Sequence, residues 1–96
     1  MAQPQESSAG LARAVAHLLS RDWQAAHEIV QNDKSELAAW LHGIVHTLEG
    51  DLDNAQYWYR KADRVFRGAA AVQEEILAAR GRVQDELARS GRGEPC

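Results

Sequence analysis

The sequence predicts a single all-α domain built from five helices. Residues that cap or stop helices recur along its 96 residues, and no run of alternating β-branched, aromatic and polar residues indicates a strand. A chain of this length has room for one domain. Apolar residues make up 45% of it, and 17 of them are alanine, so we expect a thin core and modest stability.

The first two helices are predicted from serine and aspartate caps. We expect residues 1–8 to form a disordered tail and the first helix to start after Ser7 or Ser8, because a serine side chain accepts a hydrogen bond from the first turn. Asp22 is the predicted N-cap of a short second helix that ends at Gln31.

A third helix is predicted to run to Glu49. Asp33, with Glu36 three positions later, resembles a capping box that opens it, and Gly50 supplies the left-handed residue that ends it. Its apolar positions recur every three or four residues and therefore share one face. They are Leu37, Trp40, Leu41, Ile44, Val45 and Leu48.

A fourth helix follows directly after the third. Its predicted cap is Asp51 or Asp53, because an aspartate side chain accepts hydrogen bonds from the amides of the first turn. We expect this helix to continue to about Phe66 and to be closed by Gly68.

The last helix is predicted from Ala69 to about Ser90. One side of it is apolar and the other is charged, and Gly81 is a weak point that costs about 1 kcal/mol against alanine. Residues 91–96 are expected to be a flexible tail, which leaves residues 9–90 as the folded domain. The apolar positions are Val72, Ile76, Ala79, Val83 and Leu87.

Charge and composition exclude several classes of function. Residues 1–59 carry three Lys/Arg against eight Asp/Glu and residues 60–96 carry eight against six, so the net charges are −5 and +2. This balance disfavours nucleic-acid binding, which needs a stronger basic patch. No segment approaches the roughly 20 apolar residues that span a bilayer, and the polar start does not resemble a signal peptide, so we expect a cytoplasmic protein. Cys96 is the single cysteine, which excludes an intrachain disulfide.

A unit of helix, aspartate turn and helix occurs twice. Residues 22–26 and 51–55 superpose with a period of 29 residues, which also places His17 on His46. Two such units followed by a terminal helix are typical of helical-repeat proteins, in which the last helix acts as a cap.

Residues 36–67 resemble a tetratricopeptide repeat at six of the family's positions, and residues 11–33 resemble one at four. The resemblance implies a right-handed array of α-α hairpins, with the fifth helix as a C-terminal cap. It also implies a concave groove that binds peptides or partner proteins and catalyses no reaction. The six positions are Gly43, Gly50, Asp51, Ala55, Tyr59 and Ala62, and the four are Ala14, Asp22, Trp23 and Ala26.

The helix face of the second unit that would line this groove is apolar, which predicts a protein-protein interaction module. Because this face is apolar, we expect it to be covered by the terminal helix or by another subunit, as in a homodimer. The predicted partner is a protein or peptide, and this hypothesis needs no cofactor. The predicted interaction residues are Leu37, Trp40, Leu41, Ile44 and Trp58.

Residues 26–60 also resemble a group of small bacterial proteins in their polar residues. The resemblance implies that these residues form one site. The shared segments are Ala26-His27-Glu28, Trp40-Leu41-His42, His46, Glu49-Gly50-Asp51, Asn54-Ala55 and Tyr57-Trp58-Tyr59-Arg60.

A histidine pair supports the alternative hypothesis, a site for a divalent metal ion or a small anion. His42 and His46 are four residues apart, so their imidazoles lie on one helix face about 6 Å from each other. His27 is a candidate third metal ligand, and Tyr59 and Arg60 are candidates to bind a ligand beside the histidines. Further candidate metal ligands are His17, Glu28 and Glu49.

A third interpretation gives the histidines no ligand at all. Buried histidines also occur as packing residues that hydrogen-bond to tyrosine, tryptophan or backbone groups between helices. The sequence contains no phosphate-binding glycine loop, and no serine or cysteine has a plausible activating neighbour. We therefore predict no catalytic residues and disfavour an enzyme.

Overall fold

Five α-helices form most of the chain that the structure describes. The computed structural model covers residues 4–92, with side chains from residue 8 to residue 89. No strand occurs in this range, so the all-α prediction is confirmed, and none of its helices is both long and apolar enough to cross a membrane. The elements are α1 (Pro4–Leu19), α2 (Trp23–Val30), α3 (Glu36–Glu49), α4 (Leu52–Lys61), a short 3-10 turn (Ala69–Ala71) and α5 (Val72–Arg92).

α1 begins at Pro4, earlier than either predicted serine cap. Proline is favoured in the first helical turn, because its missing amide needs no partner there and its φ is already helical. Residues 4–8 of the expected tail are therefore helical, and residues 1–3 lie outside the described residues. α5 continues to Arg92, slightly beyond its predicted end, and residues 93–96 of the expected C-terminal tail also lie outside.

The two aspartate turns share one backbone geometry. The chain turns left-handed at Arg21 after α1 (φ 64°) and at Gly50 after α3 (φ 93°). In both turns the next amide, of Asp22 or Asp51, donates to a histidine carbonyl in the last helical turn, at 2.8 Å and 2.9 Å respectively. The aspartates then cap α2 and α4 with nearly equal φ and ψ, −93°/73° and −94°/81°. The predicted Asp22 cap is thus confirmed, and of the two candidates for α4 it is Asp51 that caps.

The cap of α3 differs from the predicted capping box. Ser35 is the N-cap, and its side chain accepts a hydrogen bond from the Ala38 amide. Asp33 instead accepts a hydrogen bond from the Ser35 amide at 2.9 Å, which is a local turn that competes with helix capping. The helix therefore begins at Glu36, immediately after a cap two residues later than expected.

α4 ends at Lys61, so the predicted continuation to Phe66 is wrong. Asp63 adopts a left-handed conformation (φ 59°), and the next amide, of Arg64, returns to the carbonyl of Tyr59 at 2.9 Å. This is the hydrogen-bond pattern of a Schellman motif, which aspartate and asparagine form as well as glycine. A loop therefore separates α4 from the 3-10 turn, and in this loop the ring of Phe66 packs against the ring of Tyr59.

α3 is the central helix and contacts the other four. Its residues 38–47 are all buried. α5 packs against α1 and α3 with Ile76, Ala79 and Val83 fully inside, as its apolar side predicts. One charged residue of α5 departs from the predicted solvent-facing side, because Glu75 is only 6% exposed.

Gly81 lies in the exposed middle of α5, and no described neighbouring group lies within 4 Å of where a Cβ would stand. Gly81→Ala is therefore expected to raise the free energy of unfolding by about 0.5–1 kcal/mol, because glycine loses more backbone entropy than alanine in a helix. Urea unfolding followed by circular dichroism measures the change. An unchanged or lower midpoint would contradict the prediction.

Candidate functional site

Three histidines from two helices meet at one point of the domain. α2 contributes His27, and α3 contributes His42 and His46 one turn apart. The ring centroids lie 4.8 Å (His27 to His42), 5.3 Å (His27 to His46) and 5.0 Å (His42 to His46) apart. The ring of His27 stands nearly perpendicular to the His42 ring, at 89°. We call these three residues the histidine cluster.

His46 is oriented by a carboxylate on its own helix. Its Nδ1 lies 2.7 Å from Oε1 of Glu49, and the His46 side chain is 10% exposed. A carboxylate only accepts hydrogen bonds, so Nδ1–H donates and a neutral His46 keeps its lone pair on Nε2. A carboxylate behind a histidine is the arrangement that commonly fixes the tautomer and orientation of metal-binding imidazoles.

His42 is held by an aromatic ring on α4. The indole of Trp58 stacks on its imidazole with centroids 3.8 Å apart and an interplanar angle of 6°. Burial, with the nearby His27 and His46 as smaller contributions, lowers the pKa of His42 from 6.5 to about 4. His42 is therefore neutral at pH 7, as a histidine that binds a metal must be.

The nitrogens of the histidine cluster come close enough to share one ion. One ring nitrogen from each histidine can be chosen so that all three lie within 4.8 Å of one another. Tetrahedral zinc with Zn–N bonds of about 2.1 Å needs N–N separations of roughly 3.4 Å, so the widest pair must close by up to about 1.4 Å. Within the described part of the chain, the side chains of His27 and His42 make no hydrogen bond that this movement would break.

The contacts that the structure gives Tyr59 and Arg60 are not with the histidine cluster, and their ligand-binding role stays a prediction. The Tyr59 hydroxyl donates to Oε1 of Glu75 on α5 at 2.7 Å. Arg60 is exposed and lines a surface cavity of about 400 Å³ together with Tyr59 and Phe66, and none of the three histidines lines this cavity. Successive residues of a helix point about 100° apart, so α4 directs Trp58 to the histidines and Tyr59 away from them.

The other candidate metal ligands differ in position. Glu49 lies beside the cluster and contacts only His46 of its three histidines. Together with His46 and Asp51 it forms a second group of possible metal ligands. His17 and Glu28 belong to neither group of metal-ligating side chains found among the described residues.

The predicted interaction face is largely inside the monomer. Trp40, Leu41 and Ile44 are 2%, 0% and 0% exposed, and α5 packs on α3. These three residues are therefore buried within the chain itself. Leu37 and Trp58 are half-buried.

A buried carboxylate that the sequence analysis did not single out joins α3, α4 and α5. Oε1 of Glu75 accepts hydrogen bonds from Trp40 Nε1 (2.9 Å) and the Tyr59 hydroxyl (2.7 Å), and Oε2 accepts two from the guanidinium of Arg67 (2.9 Å and 3.0 Å). We call this group the Glu75 junction. The available signal was a charge inside an apolar stripe, because Glu75 lies three residues after Val72 and four before Ala79 on the apolar side of α5.

The chain matches no protein-family model, no curated protein and no solved structure. The resemblance of residues 36–67 to a tetratricopeptide repeat therefore stays a prediction. Of the features that the described residues form, the histidine cluster is the one whose chemistry indicates a ligand.

Proposed function

We propose that the protein binds a divalent metal ion, best zinc, through His27, His42 and His46. The observation that carries the proposal is the convergence of three imidazole nitrogens within 4.8 Å, from the consecutive helices α2 and α3. Glu49 supports His46 from behind, and the stacked Trp58 holds the ring of His42. His46 therefore already has the carboxylate contact that metal sites use to orient an imidazole, and the stack restrains His42.

A cation fits the site better than a small anion. An anion would need protonated histidines, yet burial keeps the pKa of His42 at about 4. The carboxylates of Glu49 and Asp51 group with His46, whereas the ammonium group of Lys61 lies over the Trp58 ring, 5.6 Å from its centroid. The neutral imidazole of His42 and the carboxylates beside His46 therefore favour a positive ion over a negative one. Imidazole is also a good donor for zinc among the divalent ions.

Zinc is expected to raise the melting temperature of chelator-treated protein by several degrees. A ligand that binds the folded state alone stabilises it by RT ln(1 + [L]/Kd), which is ~1.4 kcal/mol at ten times the Kd. For a domain of this size each kcal/mol corresponds to about 4–8 °C. Thermal unfolding by circular dichroism, with zinc, nickel and manganese compared, measures the shift.

His27→Ala is the most useful variant for this experiment, because His27 is half-buried and its loss perturbs the core least. It is expected to abolish most of the zinc shift, as is the double variant His42→Ala, His46→Ala. His17→Ala is the matched control, since it removes a histidine that lies outside the cluster. A zinc shift that survives His27→Ala, or no shift in the unsubstituted protein, would overturn the proposal.

We also infer that the five helices form a tetratricopeptide-like, right-handed array in which α5 is the terminal cap. Supporting this are the equal geometry of the two aspartate turns and the packing of α1 on α2 and of α3 on α4. Gly43 adds a further argument, because the Tyr59 ring sits where a side chain at residue 43 would stand. The family has a small residue at such helix crossings. In this arrangement the cluster lies between the second and third helices of the array.

A further inference from the structure

We infer that the metal bound by the histidine cluster keeps one coordination position for an exogenous ligand, and that this ligand is a small monoanion bound through oxygen or nitrogen. The inference rests on the proposed metal function. It assigns the cluster a ligand-binding role in addition to any structural one.

The number of protein donors is the first argument. Among the described residues, no fourth histidine, cysteine or carboxylate comes within 4.8 Å of all three cluster histidines. Glu49 and Asp51 group with His46 only, and Glu49 is already engaged by Nδ1 of His46. Zinc takes four ligands in structural sites, whereas sites with three protein ligands hold water or substrate in the fourth position.

Access to solvent is the second argument. His42 is closed on one side by the stacked indole of Trp58. In contrast, His27 is half-buried and the side chain of Glu49 is 35% exposed. The cluster is thus open toward the surface on the side of His27 and Glu49, so a water molecule or a small ligand can reach the metal there.

Charge and space select the class of ligand. Three neutral imidazoles leave the full charge of a divalent ion, so an anionic donor is preferred over a neutral one at the fourth position. The carboxylates of Glu49 and Asp51 stand next to His46 and repel a second or third negative charge. The indole of Trp58 closes one side of the cluster, so the ligand must enter beside His27 and Glu49. A small monoanion therefore displaces the bound water, and sulfate or phosphate does so poorly.

Cobalt substitution tests the inference separately from metal binding itself. Chelator-treated protein titrated with Co²⁺ is expected to develop the intense visible bands of four-coordinate cobalt, and His27→Ala is expected to lose them. Azide added to the cobalt protein is then expected to shift these bands saturably, while sulfate at the same ionic strength leaves them unchanged. Acetate is expected to act as azide does.

Each alternative outcome has a distinct meaning. If no cobalt bands develop, the proposed metal function fails and this inference fails with it. If the bands develop but azide does not shift them, the metal function stands and the open position is overturned. Cys96→Ser is the remaining control, because a near-ultraviolet thiolate band that this variant removes would show a cysteine in the fourth position and would equally overturn the inference.

Discussion

Gly43→Ala is expected to lower the free energy of unfolding by about 2–3 kcal/mol, which is close to the upper end for adding one methyl group to a packed interior. A Cβ at this position would lie 2.5 Å from Cδ1 and 2.7 Å from Cε1 of Tyr59, and 3.3 Å from the carbonyl oxygen of Ala55. The ring cannot move aside easily, because its hydroxyl is bound to Glu75 and its face contacts Phe66. α3 and α4 must therefore separate.

The control for this prediction is the same substitution in α5. Gly81→Ala adds the same methyl group where it meets nothing, so it gains helix propensity without a clash. The two variants are thus expected to shift the urea midpoint in opposite directions, with equal m-values. A Gly43→Ala protein as stable as the original would show that the Tyr59 ring does not occupy the crossing of α3 and α4.

Much of the fold was predictable because helix boundaries here depend on local chemistry. Asp22, Asp51 and Gly50 act within one turn of their own position, and the structure confirms all three. The errors arose where two local signals compete. Asp33 forms a turn that leaves the cap to Ser35, and Asp63 takes a left-handed conformation that sequence alone rarely assigns to aspartate.

The candidate site was predictable only in part. The spacing of His42 and His46 is a property of one helix, whereas the position of His27 beside them depends on how α2 packs against α3. The contact of the Tyr59 hydroxyl with Glu75 was not predicted, because adjacent residues of α4 face different neighbours. The Glu75 junction joins segments that are distant along the chain, so no local sequence pattern predicts which donors will hydrogen-bond to the carboxylate.

Glu75→Ala is expected to destabilise the protein by about 3 kcal/mol or more. The substitution removes the acceptor of the Trp40 indole N–H and of the Tyr59 hydroxyl, which both lie in the core. A buried donor left without a partner costs about 1–3 kcal/mol, so two of them account for an effect of this size. Unfolding in urea measures it, and Glu86→Ala, which removes a half-buried carboxylate further along α5, is expected to cost far less.

Glu75→Gln keeps the shape of the side chain in the Glu75 junction and removes its charge. The pH dependence of stability then measures what the charge contributes. Burial alone would raise the pKa of Glu75, but hydrogen bonds from Tyr59, Trp40 and Arg67 outweigh it and hold the pKa below the ordinary value of 4.5. A carboxyl whose pKa is lower in the folded state stabilises the fold fully above its unfolded pKa, and this contribution is lost as pH falls through the folded pKa. The stability difference between the original protein and Glu75→Gln is therefore expected to be constant near neutral pH and to narrow below about pH 4.5. Other titrating groups are common to both proteins and cancel in this difference. A difference that stays constant down to the acid unfolding transition would show that the junction does not depend on the ionised form of Glu75.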